Sequence, residues 1–154
     1  MATFTAVAAG GNWRTAATWD LGASYPQAGD TVVINATCTG TVSLAEANAC
    51  AILNMTNNGG TLAFGNFALT ITANINLGGT ITAGTGGIIM TGADTTRIFT
   101  SNGVTFPGTI TSTNIKTVTL KGNLTVTKGL IVSASSATTF NKTGVGDGDT
   151  LSGI

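Results

Sequence analysis

The chain has 154 residues, six basic and six acidic, with no histidine and a net charge of zero. Only 8% of its residues are charged, against roughly 25% in an average soluble domain; 31 threonines and 22 glycines stand in their place. The missing histidine excludes His-based triads and most zinc sites, the balanced charge gives no basic stripe for nucleic acid, and no apolar run approaches the roughly 20 residues that span a bilayer.

Residues 1–30 hold both tryptophans, Trp13 and Trp19, the only tyrosine, Tyr25, and Pro26, and they show no repeat. They read as a cap, distinct from the repetitive remainder of the chain. Strand-like alternation of Thr, Val and Ile begins at 31–36. The stretch from Val42 to Leu53, ending SLAEANACAIL, is the only one with a helical flavour, and it reads as one short turn or helix. Short alternating runs then occupy 61–64, 68–77, 80–83, 88–91, 97–100, 109–113, 116–120, 123–127 and 130–134, separated by Gly and Asn. Cys38 and Cys50 have no basic neighbour to activate a thiolate and read as two buried thiols rather than a disulfide.

The runs are self-similar. A shift of 19 residues puts Thr61 on Thr80, Leu62 on Ile81, Leu69 on Ile88 and Ile71 on Met90. The motif Gly79-Thr80-Ile81-Thr82 returns as Gly108-Thr109-Ile110-Thr111. Short strands repeating near every 20 residues predict a stacked solenoid over 31–154, with Ile, Leu and Val along the axis and Thr and Asn outside. A β-sandwich of meandering strands is the competing architecture. In a solenoid, Trp13 and Trp19 would cover the first coil. The last residues, TGVGDGDTLSGI, offer no aromatic lid, so a partner chain or a continuation of the protein is expected at that end.

The segment Gly11-Asn12-Trp13, then Ala17-Thr18-Trp19, then Pro26-x-Ala28-Gly29-Asp30-Thr31-Val32-Val33-Ile34 resembles the opening of Thr/Gly-rich parallel β-helix proteins of tailed-phage particles and bacterial surface adhesins. The likeness is close over about the first 35 residues and one of style beyond. It implies a right-handed parallel β-helix with an aromatic N-terminal cap, in a structural or attachment role. The start, MATFTAVAAGG, has neither a basic region nor a sustained apolar one, so synthesis in a cytoplasm and assembly into a virion are expected. The alternative is a bacterial cell-surface location.

Candidate sites are few. Asp147 and Asp149 flank a glycine and are the one weak calcium candidate, although a solvated turn accounts for them. The other acids, Asp20, Asp30, Glu46 and Asp94, stand singly, with no pair for glycan cleavage. Asp20 and Asp30 read as turn or cap acceptors. The reading is therefore not an enzyme, with no cofactor. Thr-x-Thr runs could form a hydroxyl array of the kind that binds ice, but Thr is also the ordinary polar residue of an outer strand face. Charge is uneven along the chain: residues 1–94 carry a net −3 and residues 95–154 a net +3. Lys116, Lys121, Lys128 and Lys142 make most of the second value and would steer docking onto an acidic neighbour. Trp13, Trp19, Tyr25 and Pro26 would be cap or interface anchors. Expected partners are the major capsid protein or tail proteins of the same particle and further copies of the chain, a trimer being favoured, with neither nucleic acid nor membrane. A carbohydrate-binding or adhesive module of a bacterial surface protein is the alternative, and it would need exposed aromatics. Phe64, Phe67, Phe99, Phe106 and Phe140 are instead expected in the core.

Overall fold

β-Branched residues in alternation, broken every few positions by Gly or Asn, favour very short strands. The computed structural model, which describes residues 1–56, 59–92, 96–113, 115, 117–133, 139–142 and 151–152, contains 19 of them among those residues. In chain order they are β1 (Thr3–Thr5), β2 (Gly10–Asn12), β3 (Thr31–Ile34), β4 (Thr41–Ser43), β5 (Asn48–Cys50), β6 (Ile52–Met55), β7 (Thr61–Ala63), β8 (Ala68–Ile71), β9 (Ile75–Asn76) and β10 (Thr80–Thr82). Beyond these come β11 (Gly87–Thr91), β12 (Thr96–Thr100), β13 (Thr105–Phe106), β14 (Thr109–Thr113), β15 (Thr117–Lys121), β16 (Leu124–Val126), β17 (Leu130–Ser133), β18 (Thr139–Lys142) and β19 (Leu151–Ser152). A 3₁₀ turn at Ala16–Thr18 is the sole helical element among the described residues.

From β3 onward the chain visits three faces in strict rotation. The first face is the seven-stranded sheet β1-β3-β6-β9-β12-β15-β18. The second is β2-β4-β7-β10, continued past a break by β13-β16-β19, with β13 packed beside β10. The third is β5-β8-β11-β14-β17. All neighbours within these sheets are parallel. The protein is a parallel β-solenoid. A β-sandwich is ruled out, because sequential strands never pair with each other as they would in a meander.

Stacking in register converts sequence alternation into columns. On the first face Phe4, Val32, Leu53, Ile75, Phe99 and Leu120 form one inward column. Val42, Leu62 and Ile81 do so on the second, and Leu69, Ile88 and Ile110 on the third. All of these are buried, and each such side chain contributes about 1.5–3 kcal/mol by leaving water. The 19-residue correspondence is the true register: Thr61 pairs with Thr80, Leu62 with Ile81, Leu69 with Ile88 and Ile71 with Met90.

One expectation needs correction. The stretch from Val42 to Leu53 is not a helix but β4, β5 and the start of β6. Its Ala, Leu and Glu favour helix locally, yet Val42, Cys50 and Leu53 all fall on inward columns set by the neighbouring coils, and tertiary pairing overrides propensity. The two copies of the Gly-Thr-Ile-Thr motif, at Gly79 and Gly108, fall on different faces. Thr80–Thr82 lies on the second face and Thr109–Thr113 on the third, where Ile110 stacks on Ile88. The likeness is therefore one of strand chemistry, not of stacking.

Coil corners are tight where they cross the coil beneath. Gly79 sits at φ +63°, and a Cβ there would lie 2.9 Å from the carbonyl oxygens of both Gly59 and Gly60. Only glycine meets both conditions.

Candidate functional site

The N-terminal residues are built into the stack. β1 and β2 occupy the first two faces, and residues 13–30, with the 3₁₀ turn, stand where a third-face strand would otherwise run. Trp13 and Trp19 are fully buried there, edge to face with ring centroids 5.3 Å apart, and Phe4 meets Trp19 at 6.2 Å. Their indole N–H groups are satisfied: Trp19 Nε1 donates to the Trp13 carbonyl at 2.7 Å, and Trp13 Nε1 to the Pro26 carbonyl at 3.4 Å. The Thr18 hydroxyl, also buried, donates to Asn12 O at 2.7 Å. Pro26 is buried as well, and Tyr25 is half-buried beneath the Arg14 guanidinium, 5.5 Å from its ring centroid. The two indoles thus face the core. Tyr25 is the member of the expected anchor set that reaches the surface.

The acids in this half are structural acceptors. Asp30 takes the Ala2 amide at 2.7 Å and the Gln27 amide at 3.0 Å, tying the chain start to the turn before β3. Those two bonds, the Ala2 one foremost, hold its carboxyl below the ordinary carboxylate value. Asp20 accepts the Thr5 amide at 2.8 Å. Glu46 pairs with Arg14 at 3.0 Å, and the same guanidinium donates to Asn48 Oδ1 at 3.0 Å. Cys38 and Cys50 are free and buried. Burial, helped by the Asp30 charge, pushes the Cys50 thiol up to about 12, so it stays protonated and unreactive.

Of the four lysines of the second half, Lys121 and Lys128 have described side chains. Lys116, Asp94, Asp147, Asp149 and the Lys142 side chain lie outside the described residues, although the backbone register aligns Lys142 with Leu120. Lys121 is exposed at the end of β15, on the first face. Lys128 is exposed on the corner between the second and third faces, where its ammonium donates to the Gly84 carbonyl. The fold therefore sets these two on different corners. Phe64 and Phe106 form an edge-to-face core pair at 5.4 Å and Phe99 is buried, but Phe67 is 37% exposed, contrary to expectation. It falls on the turn between β7 and β8 rather than on an inward column. The Phe140 side chain lies outside the described residues.

Sequence reasoning missed an open groove of about 730 Å³ on the outside of the first face. Two outward columns build it. Ile52 and Ile98 line one side, with Asn74 between them, its Oδ1 accepting the Ile98 amide at 3.0 Å. On the other side register sets Asn54 beside Asn76 and Asn76 beside Thr100. Asn76 Nδ2 donates to Asn54 Oδ1 at 2.9 Å, and Asn102 Nδ2 donates to Asn76 Oδ1 at 2.8 Å and to the Leu77 carbonyl at 2.5 Å. Asn102 holds this position at φ +49°, a conformation Asn tolerates better than other side chains. The usable signal was the recurrence of Asn at 54, 76 and 102, spaced by about one coil, which the 19-residue shift does not align.

Comparisons with family models, with curated proteins and with solved structures returned no match.

Proposed function

We propose that this chain is a non-enzymatic structural protein of a tailed-phage particle, a capsid-surface decoration or cement protein, or else a segment of a tail fibre or spike. The observation that carries this reading is how the ionisable groups are spent. Asp20, Asp30 and Glu46 hold backbone or Arg14, the Cys50 thiol is kept protonated, and the outward columns present Thr, Asn and Ile. Parallel ladders on three faces make a stiff rod with a sparsely charged exterior, suited to passive docking. Its partners would be the major capsid protein or tail proteins, and further copies of itself, most simply as a trimer. A cement protein acts by adding interface area between capsomers that unbinding must give back. Quantitative peptide mass spectrometry on density-purified particles tests the proposal. Copies comparable with the major capsid protein support decoration, and a few copies per particle support a fibre or spike. Absence from particles with recovery in the cell-surface fraction overturns it.

A second reading, a carbohydrate-binding or adhesive module of a bacterial surface protein, is favoured by the exposed Phe67 and by the groove on the first face. A glycan array probed with the isolated chain tests it.

A further inference from the structure

We infer that the groove on the first face is a binding site for a neutral, linear carbohydrate lying along the solenoid axis. The inference rests on the second reading above and deepens it by committing to a site and a ligand class.

The chemistry of the two walls is complementary. Ile52 and Ile98 offer an aliphatic strip, half-buried and exposed respectively. Asn54, Asn76 and Asn102 offer amides in a chain of hydrogen bonds whose direction is fixed, the Nδ2 of Asn76 and of Asn102 each donating to the Oδ1 of the asparagine before it in that series. A pyranose has the same two characters: an apolar C–H face and a rim of hydroxyls that both donate and accept. Stacked C–H faces would cover the isoleucines while the hydroxyls met the amides. Among the described residues, the Nδ2 groups of Asn54 and Asn74 have no protein partner, so the groove retains donors for a ligand to use. The amide chain also fixes its own members in place before anything binds, which lowers the ordering cost of recognition.

Other occupants fit less well. An extended peptide would seek main-chain pairing, but the backbone beneath the groove is already paired on both sides, β6 to β3 and β9, and β9 to β6 and β12. An anionic polymer would need cations. None of the described residues lining the groove is charged, and Lys121 lies beyond its edge, in register with Thr100. Neighbouring coils stand about 4.8 Å apart, so a chain of sugars running along the axis meets a new amide at each coil. Single sugars would touch one rung only, and affinity should grow with ligand length.

The test uses the full chain and neutral oligosaccharides of two to six hexose or N-acetylhexosamine units, monitored by NMR shift titration and calorimetry. Expected is binding that strengthens with length, with shifts confined to the first face. Asn76→Ala and Ile98→Ser should each weaken it about tenfold, equal to about 1.4 kcal/mol, whereas Thr111→Ala, on the third face, should change nothing. Ile98 is solvent-exposed, so Ile98→Ser keeps the fold and remains informative should Asn76→Ala lower stability. Binding that survives both variants overturns the groove while leaving a carbohydrate-binding module standing. No binding of any neutral oligosaccharide at about 10 mM, where even millimolar affinities register, overturns both.

Discussion

Burying two indoles against the first coil makes Trp19 the most revealing side chain to remove. It is 1% exposed, stacked on Trp13 and Phe4, and bonded through Nε1 to the Trp13 carbonyl at 2.7 Å. Trp19→Ala loses the buried ring and leaves a cavity that the edge-to-face neighbours cannot fill, a cost of about 3–5 kcal/mol. Trp19→Phe retains most of the ring contact and loses the indole donor, leaving the Trp13 carbonyl short of a partner, a cost of about 1–3 kcal/mol. Urea unfolding monitored by far-UV circular dichroism, with linear extrapolation, separates the two. Because coils of a solenoid contact only their neighbours, Trp19→Ala should also lower the m-value as the first coil melts ahead of the rest. A Trp19→Ala variant within about 1 kcal/mol of wild type would show that the ring packing does not hold the first coil. Equal costs for the two variants would show that the hydrogen bond, and not the packing, carries the effect.

Other outcomes rest on particular residues. Gly79→Ala should destabilise by about 2 kcal/mol or more, since an L residue pays about 1–2 kcal/mol in the left-handed region and its Cβ would also press on the Gly59 and Gly60 carbonyls. Gly29→Ala, whose Cβ meets nothing within 4 Å, is the control and should be near neutral in the same urea assay. Asp30 has a depressed carboxyl in the folded state, so its stabilisation is present above the unfolded value near 3.9 and is lost as pH falls through the lower folded value. Asp30→Asn should therefore be less stable at neutral pH and show a flatter stability profile below about pH 4, and an unchanged acid limb would contradict the two amide bonds. Cys50 should resist thiol reagents at pH 8 until the chain unfolds, and prompt modification of the native protein would contradict its burial. Ser112, in register with Met90 and Val132, is buried with no hydrogen-bond partner for its Oγ among the described residues. Ser112→Ala should be neutral or raise stability by up to about 1 kcal/mol, whereas a loss of that size in thermal unfolding would mean the hydroxyl is bonded.

What could be read from the sequence depended on whether local pattern and stacking agreed. Thr109–Thr113 alternates cleanly and was legible to the residue, as were the rungs Thr61 to Thr80 and Leu69 to Ile88, where the coil length happens to be constant. Coil length then varies: Asn54 pairs with Asn76 and Asn76 with Thr100, 22 and 24 residues apart in turn, so a fixed shift could not reveal the amide column or the groove. β4 and β5 were hidden by helix-favouring residues whose inward positions only the neighbouring coils define. β1 and β2 were hidden because Gly10-Gly11-Asn12 carries no apolar alternation and Thr3–Thr5 stands in a stretch with no repeat. The orientation of the two tryptophans toward the core arises from Trp13 and Trp19 bonding to backbone within residues 13–26, which no local pattern displays.

Register underlies the columns and the groove alike, and paired cysteines test it most directly. Thr61→Cys with Thr80→Cys places two outward positions on adjacent parallel rungs of the second face, within the Cα separation of about 4.4–6.8 Å that a disulfide accepts. Thr80→Cys with Thr109→Cys joins the two sequence-similar motifs that lie on different faces. Under mild oxidation of the folded chain, the first pair should close intramolecularly and the second should remain reduced. Efficient closure of the second pair with the first left open would contradict the three-faced stack.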